Sequence, residues 1–263
     1  MGYIKFNSVT IWSDEGDTPN VGLLAEKDIN GRVHAIEPLG DRWQNLYRDS
    51  MTENKQYTIV VILAPSYHMT LEELMTTWKG NHAAMGGQLV LERRTELGGV
   101  FQLDCVAATP QFGDISNGRV EVTQTYTAAN PWWRAATETD SAGTFGGGII
   151  ACDNIGDVET WLRIEMHGLA TTPKIELPGE WEIEIYLDLT HIDDLLLMDT
   201  KTPATAWYTP NGGATTRAYG YRSAASSFRK AKIPPGASNL SPTSFAGGGL
   251  LTVYWYPRYE ALR

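Results

Sequence analysis

Hydrophobic and polar residues alternate with a period of two along much of this chain, which is the pattern of half-buried β-strands. In the first half, residues 100–108 and 119–127 carry apolar side chains on one face. Residues 56–65 are instead a continuous apolar run closed by Pro65, which predicts a strand buried on both faces. The residues predicted to face the core in the two alternating segments are Phe101, Leu103, Cys105, Ala107, Val120, Val122 and Tyr126.

One segment between these strands has the period of a helix. Residues 69–85 carry apolar side chains at helical spacing, and Thr70 with Glu73 forms the pattern of a capping box. Gly86-Gly87 is predicted to end the helix and to lead into a further strand at residues 88–94. We interpret the apolar stripe as core packing rather than as a ligand site. It consists of Leu71, Leu74, Met75 and Trp78.

The second half is predicted to contain only strands and turns. Residues 158–169 and 180–189 alternate, the latter without interruption, and residues 250–259 are predicted to form a last strand that ends near Pro257. Residues 205–221 predict a hairpin that turns on Pro210-Asn211-Gly212-Gly213. We therefore expect an antiparallel β-sandwich or jelly roll in this half. The inward face of residues 180–189 is predicted to be Trp181, Ile183, Ile185, Leu187 and Leu189.

A polar, glycine-rich stretch separates the two halves and predicts the domain organisation. We predict an N-terminal domain at 1–130, a junction at 131–148 and a C-terminal domain at 149–263. The fold class is mainly β, with a β-sandwich and one helix in the first domain and an antiparallel β-sandwich in the second.

Charge and cysteine content narrow the classes of function. The 263 residues carry a net charge of -10, which argues against nucleic-acid binding because that affinity rests on clustered Lys and Arg. The N-terminus lacks the pattern of a signal peptide, and no apolar run approaches the roughly 20 residues that span a bilayer. A disulfide between Cys105 and Cys152 is geometrically possible, but two buried thiols are favoured.

The acidic run Glu182 to Asp188 resembles the catalytic strand of jelly-roll β-glucanases. Its carboxylates stand at alternate positions, which are roughly 7 Å apart along a strand, against the roughly 5–5.5 Å of a retaining pair. The match is poor because Glu184 replaces a central Asp and Asp188 falls two residues late. A solvent-facing strand with acids outside is therefore the favoured interpretation.

The histidines and glycine clusters indicate no catalytic motif. The five histidines are isolated, and His191 near Asp193 and Asp194 is interpreted as part of a polar turn rather than a metal site. Residues 145–150 and 245–251 are glycine clusters before strands, interpreted as turns and not as phosphate loops. The remaining histidines are His34, His68, His82 and His167.

Aromatic residues are more suggestive than the ionisable ones. Trp132 and Trp133 follow Pro131 in the predicted junction, and other rings crowd residues 205–221 and 250–259. Such rings stack on sugars, anchor protein interfaces or fill cores. The crowded positions are Trp207, Tyr208, Tyr219, Tyr221, Tyr254, Trp255, Tyr256 and Tyr259.

An ordered series of short motifs resembles the distal tail proteins of siphophages. Residues 71–94 resemble the family's helix followed by a glycine-marked strand, and residues 120–134 resemble the step that leads out of its first domain. Later matches include the step at residues 195–200 and the turn at residues 233–239. Single positions that match are Asn154, Gly156, Gly168, Pro173, Ile175, Asn211, Gly212, Ser227, Phe228, Pro257 and Arg258.

This resemblance implies a structural virion protein of the tail tip, without catalysis, metal or cofactor. It implies an N-terminal domain that forms a ring, usually a hexamer, between the tail tube and the tip hub, and a galectin-like C-terminal domain. The implied partners are further copies of the chain, the tail tube protein, the hub or tail-associated protein and the tape measure protein, and assembly takes place in the host cytoplasm. We expect residues 1–128 alone to form rings, and Trp132 and Trp133 to contact a partner at the junction.

The alternative function is a carbohydrate-binding or glycan-cleaving β-sandwich protein that acts on the host envelope. A combination is also open, in which the C-terminal domain binds host glycans while the first domain forms the ring.

Overall fold

A computed structural model gives the architecture of the protein. It describes residues 2–6, 8–14, 18, 20–30, 55–82, 89–95, 98–128, 130–201, 203–244 and 246–260. The chain divides into two compact units, Met1–Ala136 with Glu260–Arg263 and Thr137–Tyr259. Residues 131–148, expected as a junction, contain two strands, and the chain first passes between the units at residues 136–137. Gly86-Gly87, His34 and residues 261–263 lie outside the described residues.

The described part of the first unit contains nine strands and one helix. They are β1 (Tyr3–Phe6), β2 (Val9–Ser13), β3 (Val21–Asn30), β4 (Lys55–Leu63), α1 (Leu71–His82), β5 (Leu89–Arg94), β6 (Val100–Ala107), β7 (Gln111–Ser116), β8 (Arg119–Ala128) and β9 (Trp133–Ala135).

These strands form an antiparallel sheet in the order β2-β1-β5-β6-β8-β4-β3, with β7 on β8 and β9 on β6. The predicted strand at 56–65 is β4, which pairs with β8 over its whole length from Lys55 opposite Ala128 to Leu63 opposite Val120. The prediction that both its faces are buried was wrong, because buried and half-buried side chains alternate along it. A continuous apolar run therefore folded here as a strand with one core face.

Helix α1 begins after Thr70, as the capping box predicts. The Glu73 carboxylate accepts hydrogen bonds from the Thr70 N–H (2.8 Å) and hydroxyl (2.9 Å), and the Glu73 N–H donates to the Thr70 hydroxyl (3.3 Å). These bonds hold the pKa of Glu73 below its ordinary value. Leu74 and Trp78 are buried as predicted, and His82 completes the buried row one turn later.

The second unit contains only strands and one short 3-10 helix, Tyr219–Tyr221, among its described residues. The strands are β10 (Thr139–Thr144), β11 (Ile150–Asn154), β12 (Thr160–Trp161), β13 (Arg163–His167), β14 (Ala170–Thr171), β15 (Lys174–Leu177), β16 (Trp181–Glu184), β17 (Asp188–Leu189), β18 (Leu195–Asp199), β19 (Thr205–Thr209), β20 (Thr216–Arg217), β21 (Lys232–Ile233), β22 (Gly236–Thr243), β23 (Leu250–Trp255) and β24 (Arg258–Tyr259).

The second unit is a sandwich of two main antiparallel sheets, with two further pairs of strands, β12 with β21 and β14 with β17. One has the order β10-β23-β13-β18-β19-β20 and the other the order β11-β22-β15-β16. Ile164 and Val253 from the first and Ile175 and Leu240 from the second share one buried cluster. The mainly β architecture is as the sequence predicts, and no described helix is long and apolar enough to cross a membrane.

The predicted uninterrupted strand at residues 180–189 is divided in the structure. β16 ends at Glu184 and β17 begins at Asp188 in a different, two-stranded sheet with β14. The Ile185 N–H still donates to the Pro173 carbonyl just before β15 (3.0 Å), but the Leu187 N–H donates back to the Ile185 carbonyl (2.9 Å) and so interrupts the ladder. Local alternation cannot reveal this change of hydrogen-bonding partner.

Candidate functional site

The acidic run does not form a continuous row of carboxylates. Glu182 lies opposite Glu176 on β15, and the Lys174 ammonium lies between the two, 2.7 Å and 2.8 Å from their carboxylate oxygens. The hydrogen bonds to Glu176 and Glu182 raise the pKa of Lys174 above its ordinary value. Asp188 belongs to the other sheet and accepts from the Thr172 N–H (3.3 Å). The favoured interpretation, a solvent-facing strand, therefore describes β16 and not the full run.

His191 and its acidic neighbours form a polar turn. Asp194 is buried, and its carboxylate accepts from the backbone N–H of Asn211 (2.9 Å), His191 (3.0 Å) and Thr190 (2.7 Å) and from the Tyr208 hydroxyl (3.2 Å). Burial disfavours its charge, but these four donors hold its pKa below the ordinary value. The carboxylate thus joins the turn before β18 to the hairpin after β19.

The other candidates for metal or nucleophile chemistry are dispersed. No group of three or more His, Cys, Asp or Glu side chains with metal-binding spacing occurs among the described residues. Cys105 lies in the first unit and Cys152 in the second, both buried, and burial raises the pKa of each thiol to about 12. His68 is on an exposed turn, and His167 is half-buried on β13.

The two glycine clusters are adjacent turns, in line with their interpretation as loops. The Phe145 N–H donates to the Gly249 carbonyl (3.1 Å), and the Gly249 N–H donates to the Leu169 carbonyl (3.0 Å). A Cβ on Gly249 would lie 2.5 Å from the His167 carbonyl oxygen, so only glycine allows this approach of two backbones. Neither cluster precedes a helix.

Residues that carry the family resemblance converge on one structural cluster. The Asn154 side-chain amide donates to the carbonyls of Val158 (3.0 Å) and Ile233 (3.2 Å), and its oxygen accepts from the Gly156 N–H (3.1 Å). Arg258 is buried, and its carbonyl accepts from the backbone N–H of Asp157 (3.0 Å) and Val158 (3.2 Å). These motif residues therefore form a backbone scaffold of the second unit.

The two junction tryptophans occupy different environments. Trp133 is 0% exposed and makes an edge contact with Tyr57 at a centroid distance of 5.3 Å. It fills the core of the first unit, so in this conformation only the half-buried Trp132 offers surface to a partner. The partner contact itself stays a prediction. The sequence could not distinguish the two rings, because β9 is too short to show a period.

The aromatic residues of the second unit divide between its core and its surface. Trp255 is buried, and the Tyr254 hydroxyl donates to Glu165 (3.2 Å) beside Arg163. Tyr186 and Tyr221 are 58% and 52% exposed and adjacent through their backbones. Exposed paired tyrosines are typical of protein contact surfaces. Sequence patterning predicted the crowding around Tyr221 but not its contact with Tyr186.

The first unit also presents exposed apolar groups. Tyr67, at the turn after β4, is 98% exposed, and Ile115 on β7 is 63% exposed. Strand β7 pairs only with β8 among the described residues, so its other edge is open to a further strand. Its hairpin with β8 turns on Asn117 and Gly118, both with positive φ, as a tight two-residue turn requires.

Comparison with known proteins reveals a relationship at the level of the fold. No protein-family model matches the chain, and no curated protein matches its sequence. Among solved structures, the chain is similar to the Dit (gp 19.1) distal tail protein of phage SPP1, described as a paradigm of the hub adsorption apparatus in phages that infect Gram-positive bacteria. The identity is 9% and the TM-score 0.64, with 98% of this chain and 99% of the other covered. This protein therefore has the fold of a phage distal tail protein along essentially its whole length.

Proposed function

We propose that this chain is a structural component of a phage tail tip, located in the virion and assembled in the host cytoplasm. The observation that carries the proposal is the fold match to the SPP1 protein over 98% of this chain and 99% of that one. The match covers both units. A match to one β-sandwich alone would be shared by many unrelated β proteins, whereas a match to both units favours the function of the matched protein.

In this proposal the first unit forms a closed ring, a hexamer as in the family, that joins the tail tube to the tip hub. A ring requires heterologous contacts, in which one surface of each copy meets a different surface of the next. The open edge of β7 and the exposed Ile115 and Tyr67 supply one such surface. The tail tube protein, the hub or tail-associated protein and the tape measure protein are the proposed partners.

The proposed function includes no catalytic step. The Lys174 ammonium pairs with the carboxylate of Glu182, and Asp188 lies on a different sheet from Glu182 and Glu184, so the three acids do not line one strand. Glycan cleavage that disappears in Glu182→Gln or Glu184→Gln would contradict this. Binding of host glycans by a galectin-like second unit stays an alternative, to be tested with a glycan array.

Native mass spectrometry and negative-stain microscopy of the full chain test the ring. We expect one closed assembly of about six copies, and antibody labelling at the tail tip of intact virions. Ile115→Asp should disrupt the ring, because it places a charge beside the open edge, while Ile155→Asp in the second unit, at similar exposure, should not. A chain that stays monomeric at every concentration, alone and with tail partners, would refute the proposal.

A further inference from the structure

The chain contains three Asn-Gly pairs, and one of them lies beside a histidine. The pairs are at residues 30–31, 117–118 and 211–212. Gly31 lies outside the described residues, whereas the other two pairs form exposed turns. In an Asn-Gly pair no side chain shields the glycine nitrogen, so this nitrogen can attack the asparagine side-chain amide and close a succinimide ring. Each exposed pair is therefore a candidate for self-modification.

The two described pairs differ in how tightly the backbone holds them. Asn117 and Gly118 fill a two-residue turn between paired strands, and the φ of Asn117 is 52°. In this left-handed conformation the next backbone nitrogen points away from the Cβ of the asparagine, and so away from its amide. Residues 209–215 form a longer loop, in which Asn211 has no positive φ. The glycine nitrogen therefore reaches the amide more readily at Asn211 than at Asn117.

The Gly212 nitrogen is open to reaction. A Cβ at this position would have no atom within 4 Å, and the Gly212 N–H has no acceptor among the described residues. The hydrogen bond of the turn is made by the next residue, since the Gly213 N–H donates to the Pro210 carbonyl (3.0 Å). The Gly212 nitrogen can thus act as a nucleophile without first losing a hydrogen bond.

His191 contacts the amide that this nitrogen would attack. The Asp193 N–H donates to the His191 Nδ1 (3.1 Å), so the neutral imidazole carries its proton on Nε2. Nε2 lies 3.2 Å from the side-chain amide of Asn211. An amide accepts a hydrogen bond through its oxygen, which places the Asn211 oxygen against the Nε2 proton. This donor polarises the amide carbonyl and stabilises the negative charge that forms on its oxygen during attack.

We propose that Asn211-Gly212 is a self-modification site in which His191 accelerates the loss of the asparagine amide. The Gly212 nitrogen bonds to the Asn211 Cγ and gives up its proton. The bond between Cγ and Nδ2 breaks, and the amide leaves with that proton as ammonia. Water then opens the succinimide at either of its carbonyls, which yields an aspartate or an isoaspartate at position 211.

The product weakens the contact between this hairpin and the turn before β18. The new carboxylate lies near the buried Asp194, whose own carboxylate accepts from the N–H of residue 211 (2.9 Å), so like charges meet. An isoaspartate also adds one carbon to the backbone inside the turn that Pro210 and Gly213 close. The hairpin should therefore loosen as the protein ages. The modification goes beyond the proposed function and does not depend on the ring.

The test follows the loss of each asparagine amide by peptide mass spectrometry while the full-length chain is held at neutral pH. We expect the folded chain to lose the Asn211 amide at least about fivefold faster than the Asn117 amide. In urea the two rates should become similar, because an unconstrained glycine then follows each asparagine. His191→Ala should slow the loss at Asn211 about fivefold, as expected for one hydrogen bond, and should leave Asn117 unchanged.

Controls separate this reaction from general instability. Asn211→Gln should remove the modification, because the longer side chain closes a larger ring less readily. His68→Ala changes an exposed histidine of the first unit and should leave both rates unchanged. Each variant should retain the wild-type melting temperature, and hydrogen exchange in residues 205–217 should become faster in aged wild type than in aged Asn211→Gln. Equal rates at Asn117 and Asn211 in the folded chain, or an unchanged rate in His191→Ala, would overturn the inference.

Discussion

At the scale of single residues, Gly156 shows how a motif position acts through backbone contact. A Cβ at this position would lie 2.3 Å from the Arg258 carbonyl oxygen and 2.6 Å from its nitrogen. Both atoms belong to the backbone, which cannot move aside as a flexible side chain can. The motif glycine is therefore explained by the approach of β24, and not by a ligand.

We predict that Gly156→Ala lowers the free energy of unfolding of the second unit by about 2 kcal/mol, as expected for a forced shift in a packed region. Gly220→Ala is the matched control, since a Cβ at that position would have no atom within 4 Å and its φ is not positive. Calorimetry of the full chain measures both. Equal effects of the two substitutions would mean that the contact with Arg258 does not constrain the backbone.

His82 is a buried ionisable group with a defined hydrogen-bonding state. Its Nδ1 lies 2.8 Å from the Trp78 carbonyl and its Nε2 2.8 Å from the Tyr126 hydroxyl. Because the carbonyl can only accept, Nδ1 carries the proton and Nε2 accepts from Tyr126. Burial lowers the pKa of His82, and the ring stacks on Phe6 and Trp78 in its neutral form.

The first unit should lose stability as the pH falls below about 6.5, the ordinary histidine pKa. Between this pH and the lowered pKa of folded His82, the unfolded chain binds a proton at this histidine and the folded chain does not. The free energy of unfolding therefore falls through this pH range, by no more than about 1.4 kcal/mol per pH unit. His82→Gln should reduce this slope, and the exposed His68→Gln should not. Urea unfolding at several pH values measures it. An unchanged slope in His82→Gln would contradict the assignment.

At the scale of elements, α1 has a capped N-terminus and a glycine, which is a poor helix former, at position 80 in its interior. The Thr70 and Glu73 bonds satisfy its first amides, whereas Gly80 has no neighbouring atom within 4 Å of a Cβ position. We predict that Gly80→Ala stabilises the helix by about 0.5–1 kcal/mol, and that Thr70→Ala destabilises it by about 1 kcal/mol. Hydrogen exchange of the α1 amides measures both. A loss of protection in Gly80→Ala would indicate that the position needs glycine for a partner.

At the scale of the whole molecule, the first unit is not a continuous stretch of chain. Lys55 is fully buried, with its ammonium 2.6 Å from the Glu260 carbonyl and 5.8 Å from the Trp133 ring. Both Trp133 and Glu260 lie beyond residue 128. The expectation that residues 1–128 form rings therefore conflicts with the packing, because that fragment lacks the Trp133 ring and the Glu260 carbonyl that contact Lys55.

We predict that residues 1–136 are more stable than residues 1–128 by about 3 kcal/mol, the usual cost of losing a buried tryptophan. We also predict that Lys55→Met changes the free energy of unfolding differently in the two chains. The change should be more favourable in the 1–136 fragment than in the full chain by about 2 kcal/mol, since only the full chain supplies the Glu260 carbonyl. Thermal unfolding of residues 1–128, and of the wild type and Lys55→Met in both longer chains, measures these differences. The same effect in both backgrounds would show that Glu260 does not contribute.

The sequence by itself determined the features that depend on neighbouring residues. Alternation predicted β6, β8, β13, β16 and β23, and the Thr70 and Glu73 spacing predicted the start of α1. These follow from local geometry, because strand periodicity and capping involve residues only a few positions apart. The ordered motifs also pointed to the distal tail protein fold, since turns and close backbone approaches constrain residue types at low overall identity.

Only the tertiary structure decided which distant residues meet. It placed Trp133 in a core, joined Asn154 to Ile233, and divided the acidic run between β16 and β17. It also covered the β16 edge with the segment that brings Tyr221 beside Tyr186. Each of these contacts joins residues far apart along the chain, and local periodicity carries no information on which strand edge or core position a distant residue will occupy.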